Sequence, residues 1–123
     1  MTGVLAWVGV GVFGAAGAFA RFSLGAAVTA GRPGDFPWGT FVVNLTGGFA
    51  LGVLTGLGVT GDALLVLGTG FLGGYTTFST WMVEAQRLGE DAEFALAAAY
   101  LLGSMLAGLA STAAGWALAG ALT

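Results

Sequence analysis

One stretch of the chain, residues 70–81 (GFLGGYTTFSTW), places residue types that could bind ions inside an otherwise apolar segment. Gly73 and Gly74 weaken a helix, and Thr76 and Thr77 compete for backbone hydrogen bonds, so we predict that the helix breaks here. A break within hydrocarbon would leave carbonyl oxygens without partners, at a cost of about a few kcal/mol each. A cation bound by those carbonyls would satisfy them, as in other broken membrane helices.

Two aromatic side chains follow the predicted break. Phe78 and Trp81 are three residues apart, so on a helix they project from the same face. Aromatic rings carry partial positive charge at their edges and can therefore solvate an anion without a fixed charge. The stretch thus combines a candidate cation site with a candidate anion site.

Two other apolar segments carry polar side chains along one face. Asn44 shares a face with Thr40 and Gly48, and its amide needs a hydrogen bond in lipid, either as a clamp between helices or as a donor lining a pore. A second row, with members four residues apart, is either a polar track or a set of hydroxyls that bond their own helix. This row consists of Tyr100, Ser104, Gly108 and Thr112.

Few ionisable groups lie near the apolar segments. Arg21 either extends to the membrane surface or concentrates anions near a pore mouth, and Glu84 ends the third segment, where a solvated carboxylate is expected. The other segments contain no acid, although a proton-coupled cation exporter needs a carboxylate within the membrane. Cysteine and histidine are absent from the sequence, which excludes thiolate and zinc sites and histidine-based catalysis.

The composition indicates an integral membrane protein. The 123 residues are 57% hydrophobic with a mean hydropathy of +0.93, and three basic and six acidic side chains cannot cover a soluble fold. Four apolar segments of about 20 residues or more are long enough to cross a bilayer, so we predict an all-α, single-domain protein with four transmembrane helices. The predicted spans are residues 4–27, 39–59, 63–83 and 94–122.

Small residues recur every four positions in two of these spans and predict close helix packing. A unit of four helices encloses little space, yet its polar side chains must avoid lipid, which favours an oligomer. All three arginines fall on the side shared by the first and third linkers, a bias toward the cytoplasm that is too weak to fix the orientation. The two stripes are Gly48, Gly52 and Gly56, and Gly103, Ala107, Ser111 and Gly115.

Three motifs together resemble those of the Fluc or CrcB family of small bacterial fluoride channels. GAAGAFARF at residues 14–22 is similar to the family's glycine-rich first helix, WGTFVVNLTGGF at 38–49 to its second-helix element, and GFLGGYTTFSTW at 70–81 to its third-helix signature. The resemblance covers nearly the whole chain. It implies a multi-pass protein of the bacterial inner membrane that exports cytoplasmic fluoride passively down its electrochemical gradient and so gives fluoride resistance.

The resemblance also implies an assembly. Two copies would insert antiparallel as a dual-topology homodimer enclosing two pores, with the third helix of each broken at mid-membrane. A structural sodium ion would lie at the two-fold axis, held by the backbone carbonyls of Gly73 and Thr76. Some family members instead pair with an oppositely oriented paralogue, and that arrangement stays open.

Residue by residue, the resemblance implies further roles. Trp81 stands where the family has a second pore phenylalanine, and Tyr75 where a small aliphatic residue is usual. The implied fluoride-pore residues are Asn44, Phe78, Trp81, Ser79, Thr80, Tyr100 and Ser104. The implied vestibule or supporting residues are Arg21, Thr40 and Glu84.

Two rivals from other classes remain. A small dual-topology multidrug exporter matches the size and the span count but is disfavoured by the missing intramembrane glutamate. A non-transporting assembly factor would need only the glycine stripes. Enzymatic activity is least expected, because no nucleophile and base can be paired, and the low basic content argues against a nucleic-acid partner.

Overall fold

The computed structural model describes residues 3–123 apart from the side chain of Ser79, and the regular structure of these residues is helical. We label five segments in chain order. The α-helices are α1 (Val4–Ala30), α2 (Trp38–Gly56), α4 (Ser79–Glu90) and α5 (Phe94–Leu122). Segment α3 covers residues 61–75 and joins an α-helical turn (Gly61–Leu64), a π-helical stretch (Leu65–Leu72) and a second α-helical turn (Gly73–Tyr75).

Three of the described helices, α1, α2 and α5, are long and apolar enough to cross a membrane. They lie at three of the four predicted spans, and their side chains are largely exposed, as expected where lipid rather than protein covers them. The fourth predicted span, residues 63–83, is divided between α3 and α4. The chain is therefore an all-helical, multi-pass membrane protein, and its number of crossings stays a prediction.

Turn residues set the ends of α2. Pro37 directly precedes it, where a missing backbone N–H costs no helical hydrogen bond. At the other end Gly58 has a φ of 77°, and the N–H of Val59 reaches back to the carbonyl of Leu54 at 3.0 Å. This left-handed glycine closes the helix by satisfying a terminal carbonyl.

The most extensive packing is between α2 and α5. A Cβ at Gly52 would collide with the carbonyl oxygen of Thr112, and a Cβ at Gly115 would collide with a carbonyl of α2. The hydroxyl of Ser111 donates to the carbonyl of Leu45 at 2.7 Å. The predicted packing role of the α2 glycine stripe is confirmed, because only glycine lets the two backbones approach this closely.

Segments α3 and α4 pack against different neighbours. Gly74 of α3 lies against the carbonyl of Gly14 in α1, and Gly17 of α1 lies against the carbonyl of Phe71. By contrast, α4 packs chiefly on α5. The chain thus changes packing partner between α3 and α4.

Candidate functional site

Residues 76–78 interrupt the helical path between α3 and α4. Thr76 has extended backbone (φ −81°, ψ 160°), yet its N–H still donates to the carbonyl of Leu72 at 2.8 Å. Gly73 and Gly74, where we expected the break to begin, therefore remain helical. The helical hydrogen bonds stop only at Thr77, whose N–H has a different acceptor.

That acceptor is the side chain of Asn44. The N–H of Thr77 donates to Asn44 Oδ1 at 2.8 Å, and Asn44 Nδ2 donates to the carbonyl of Thr77 at 2.9 Å. The amide therefore pairs with both backbone polar groups of Thr77, the N–H and the carbonyl, and satisfies them where the helix is interrupted. Of the two interpretations left open by the sequence, the structure shows the clamp. This clamp uses only one of the two hydrogens on Asn44 Nδ2.

Two further hydrogen bonds support the interruption from either side. Arg21 Nε donates to the carbonyl of Gly74 at 3.2 Å, so the guanidinium group of Arg21 binds the last turn of α3. The hydroxyl of Thr77 accepts from the N–H of Thr80 at 3.2 Å, in the first turn of α4. Both ends of the interruption are thus held by side chains.

The carbonyl of Gly73 loses its helical partner because the N–H of Thr77 bonds Asn44 instead. A Cβ at Gly73 would meet no described atom closer than the Gly68 oxygen at 3.8 Å, so this side of the backbone is open. Gly73 and Thr76 line the same cavity. Uncharged oxygens in such a position fit a small hard cation, which accepts backbone carbonyls as ligands.

We call this cavity, of about 400 Å³, the ring cavity. Phe78 is 71% exposed at it, and the ring centroids of Phe78 and Trp81 are 5.5 Å apart with planes tilted by 60°. The two rings are therefore neighbours, as their spacing predicted. Among the residues that line the cavity are Asn44, Gly73, Thr76, Thr77, Phe78 and Trp81.

A second cavity of about 300 Å³, the arginine cavity, also has Thr77 among its lining residues. The residue clamped by Asn44 therefore lines both cavities. The arginine cavity brings together a cation, a carboxylate and hydroxyls that the sequence placed on separate segments. Among its lining residues are Arg21, Thr40, Thr77, Thr80 and Glu84.

The hydroxyl row on α5 separates into groups with different partners. Tyr100 is completely buried, and its hydroxyl donates to Glu84 Oε1 at 3.1 Å. Thr112 donates to the carbonyl of Gly108 in its own helix at 2.9 Å. The buried hydroxyl of Ser104 has no hydrogen-bond partner among the described residues. The row is therefore not a uniform track.

The structure brings most of the predicted site residues to the two cavities, with Tyr100 attached through Glu84. The side chain of Ser79 lies outside the described part of the structure. Sequence reasoning gave Thr77 a part in the helix break but did not predict its pairing with Asn44. A signal was present, because a lone amide in lipid needs both a donor and an acceptor, and the peptide group at a helix break offers both.

A further hydroxyl pair was also missed. The hydroxyl of Tyr75 lies 2.8 Å from the Thr46 hydroxyl, and the Tyr75 ring stacks on Phe71 with centroids 6.0 Å apart. Tyr75 is buried in a cluster with Val43 and Leu72. The large side chain thus packs in this cluster, and it is not among the residues that line the ring cavity with Gly73 and Thr76.

Outside the helices, acidic loop residues meet at the start of α5. Asp35 raises the pKa of the Glu93 carboxyl above its usual value through a shared hydrogen bond. Burial and the charges of Asp35 and Asp91 act in the same direction. Glu93 therefore favours its protonated form more than an isolated glutamate does.

The fold and the site define a class of protein: a small multi-pass membrane protein whose polar groups meet at an interrupted helix. Within this class the chain belongs to one family. The family model described as CrcB-like protein, Camphor Resistance (CrcB), matches residues 8–116. The resemblance derived from the three motifs is confirmed.

The chain is also similar to curated proteins over most of its length. One is the "Fluoride-specific ion channel FluC 2" of Mycobacterium tuberculosis strain H37Rv, 46% identical over 112 residues that cover 91% of this chain and 89% of that protein. Another is the "Fluoride-specific ion channel FluC 1" of Symbiobacterium thermophilum, 47% identical over 91% of this chain and 98% of the relative. A third relative, the "Fluoride-specific ion channel FluC 2" of Haloarcula marismortui, is 45% identical over 87% of each chain. These names describe ion channels, in agreement with the prediction that the chain is not an enzyme.

Proposed function

We propose that this protein is a fluoride-selective ion channel of the cell membrane. The observation that carries the proposal is the ring cavity, where a clamped amide and two neighbouring aromatic rings meet at an interrupted helix. Relatives that are 45 to 47% identical and named fluoride-specific ion channels support the choice of anion.

The lining of the ring cavity suits a small anion. Phe78 and Trp81 offer ring edges with partial positive charge. Asn44 lines the same cavity and keeps one N–H beyond the two hydrogen bonds that it shares with Thr77. Fluoride is small and strongly hydrated, so its water must be replaced by donors at close range. Asn44 would then do two things: hold the interruption and bind the ion.

The arginine cavity forms the vestibule in this proposal. The Arg21 guanidinium, fixed at the Gly74 carbonyl, attracts anions toward the interruption. Thr40 and Thr80 line the same cavity and offer hydroxyl donors. Glu84 holds the Tyr100 hydroxyl and lies at the far end of this path. Ser104 and Ser79 are proposed as further hydroxyl contacts along the pore.

We further propose that residues 63–83 cross the membrane as a fourth span, with the interruption near mid-membrane. Two copies would pair antiparallel across this segment, or one copy would pair with an oppositely oriented paralogue. The pair would place the carbonyls of Gly73 and Thr76 from both subunits around one sodium ion. The ion would thereby satisfy four backbone carbonyl oxygens that have no partner in hydrocarbon. When bound, the ion would supply positive charge that ties the two interruptions together.

The proposed direction of transport is export. Hydrogen fluoride is a weak acid that crosses membranes from acidic surroundings and ionises in a neutral cytoplasm, where the anion is trapped. A passive channel then lets fluoride leave down its electrochemical gradient. This mechanism needs no coupled proton, which agrees with the lack of acids in the apolar helices α1, α2 and α5.

The test is ion efflux from liposomes that contain purified protein, measured for fluoride and chloride with matched electrodes. We expect fluoride to leave rapidly and chloride to be retained. Phe78→Leu should slow fluoride efflux, whereas Phe94→Leu should not, although Phe94 is similarly exposed at 69%. Retention of fluoride by wild-type liposomes would refute the proposed function. Equal rates for the two variants would refute only the role of Phe78.

A further inference from the structure

Trp81 carries a hydrogen-bond donor that no group in the described part of the chain accepts. Its Nε1 atom is buried and has no hydrogen-bond partner there. An indole N–H can only donate, and a buried indole usually finds an acceptor. The missing partner is therefore a feature that calls for an explanation.

The location of this N–H restricts what its acceptor can be. Atoms of this chain already cover Nε1, so a second protein molecule packed on the outside would not reach it. The indole ring, however, lines the ring cavity beside Phe78 and Thr77. A small acceptor in that cavity would therefore reach the indole with the least disturbance of the packing around it.

The surroundings of the ring offer little competition for the N–H. Trp81 packs against the buried cluster of Ala85, Leu88 and Tyr100, and its ring centroid lies 6.5 Å from that of Tyr100. The Tyr100 hydroxyl is already bonded to Glu84. In such apolar surroundings a hydrogen bond to an ionised acceptor is stronger than in water.

We propose that the Trp81 indole N–H donates a hydrogen bond to the anion in the ring cavity and thereby adds to the selectivity for the smallest halide. This inference rests on the proposed function and deepens it. A phenylalanine ring at this position could offer only its edge, whereas the indole adds a directional donor. Because electrostatic attraction grows as the contact shortens, the donor favours fluoride over the larger chloride.

The orientation of the Trp81 ring adds a condition to its role as a donor. The ring lines the cavity while Nε1 is covered, so the indole must turn slightly to present its N–H to an ion. The unpaired donor disfavours the covered orientation, and an anion in the cavity would favour the turned one. Occupancy of the cavity and orientation of the ring are therefore coupled.

The direct test is nuclear magnetic resonance of the indole N–H groups in ¹⁵N-labelled protein held in lipid nanodiscs. Sodium fluoride and sodium chloride are titrated separately at constant ionic strength, and Trp81→Phe identifies the Trp81 signal. We expect fluoride, but not chloride, to shift this signal downfield and to split it by coupling to ¹⁹F. The other three indoles, Trp7, Trp38 and Trp116, serve as internal references.

A flux experiment tests the effect on selectivity. Trp81→Phe removes the N–H but keeps a ring edge, and a benzothiophene isostere introduced at position 81 by codon suppression replaces only the N–H by sulfur. Both should lower the ratio of fluoride to chloride efflux by about tenfold, the usual effect of losing one hydrogen bond to a charged group. Trp7→Phe, on α1 and away from both cavities, should leave the ratio unchanged.

The outcomes separate this inference from the proposed function. If wild-type protein conducts fluoride while the Trp81 signal ignores fluoride and the isostere keeps full selectivity, the donor role is wrong and the channel stands. If the signal responds selectively to fluoride but wild-type liposomes retain the ion, the donor role is supported and the channel is refuted.

Discussion

Two regions of the molecule place small and polar residues inside apolar helices with different results. On α2 and α5, where these helices pack together, the hydroxyls of Thr55, Thr112 and Ser111 all donate to helix carbonyls, at 3.0, 2.9 and 2.7 Å. Around the interruption, hydrogen-bonding capacity is left over among the described residues. It includes one N–H of Asn44 and the indole N–H of Trp81, and both side chains line the ring cavity.

The contrast shows which polar residues of a membrane protein indicate a ligand site. Both regions are similar in composition, so polarity alone does not distinguish them. Lipid offers no hydrogen bonds, and capacity that the protein leaves unused must be satisfied by water, an ion or another chain. Unused capacity beside a cavity is therefore a better sign of an ion pathway than a row of hydroxyls.

The largest expected effect is on the packed region. Gly52→Val would drive a side chain into the carbonyl of Thr112, and the helices cannot separate without losing their contact. We expect destabilisation of about 3 kcal/mol or more, seen as loss of monodisperse protein in size-exclusion chromatography. Gly103→Val is the matched control, because a Cβ there meets no described atom within 4 Å. Normal yield and melting of Gly52→Val would contradict the packing of α2 on α5.

The next effect concerns the clamp. Asn44→Asp keeps the shape and can still accept from the N–H of Thr77, but its ionised form cannot donate to the Thr77 carbonyl. It also places a negative charge at the ring cavity. We expect folded protein, destabilised by about 1–3 kcal/mol, with fluoride efflux reduced more than about tenfold.

Thr55→Val provides the comparison with the packed region. The Thr55 hydroxyl bonds only carbonyls of its own helix, so its loss should change stability by about 0.5 kcal/mol or less and leave efflux unchanged. Equal effects of Asn44→Asp and Thr55→Val on efflux would remove the distinction between the two regions.

A smaller effect is expected from replacing Arg21, the second side chain that supports the interruption. Arg21→Lys keeps the charge but loses the hydrogen bond from Nε to the Gly74 carbonyl, which should cost about 1 kcal/mol in thermal unfolding. Arg21→Gln should additionally slow fluoride efflux at low ionic strength, and the slowing should fade as salt screens the charge. An Arg21→Gln defect that is independent of salt would indicate a structural role alone.

The smallest effect lies outside both regions and serves as a reference. Since the pKa of Glu93 is raised in the folded protein, its contribution to stability is present below about pH 4.5 and is lost as the pH rises through the folded pKa. Glu93→Gln should therefore melt slightly higher than wild type at pH 7, with the difference shrinking toward pH 4.5. Fluoride efflux should be unaffected. A difference in melting temperature that grows at low pH would contradict the sign of the shift.

Much of the packing could be predicted from sequence because glycine spacing has a direct meaning. The stripe through Gly52 predicted that α2 packs closely on another helix, and it does. Its partner and register could not be predicted, since nothing local specifies that Ser111 meets the carbonyl of Leu45. A Cβ at Gly103, in the predicted α5 stripe, would meet no described atom of another helix within 4 Å, so glycines at the same spacing do not all pack against a neighbour.

The site was less predictable because its key hydrogen bonds join a side chain to backbone groups that are far away in the sequence. The glycine pair suggested where the helix weakens, but the interruption begins at Thr76, after the last helical hydrogen bond to Leu72. Sequence alone left Asn44 as either a clamp or a donor, since an amide can serve both roles. The covered N–H of Trp81 depends on the orientation of its ring, which composition and spacing do not specify.

The change of partner between α3 and α4 also has a consequence for biosynthesis. When α3 leaves the ribosome, its partner α1 has already been made, so the two can associate early. The partner of α4 is α5, which follows α4 in the chain. The region around Thr77 can therefore be completed only after α5 has been synthesised, and a chain truncated before α5 would stay without a finished pathway for ions.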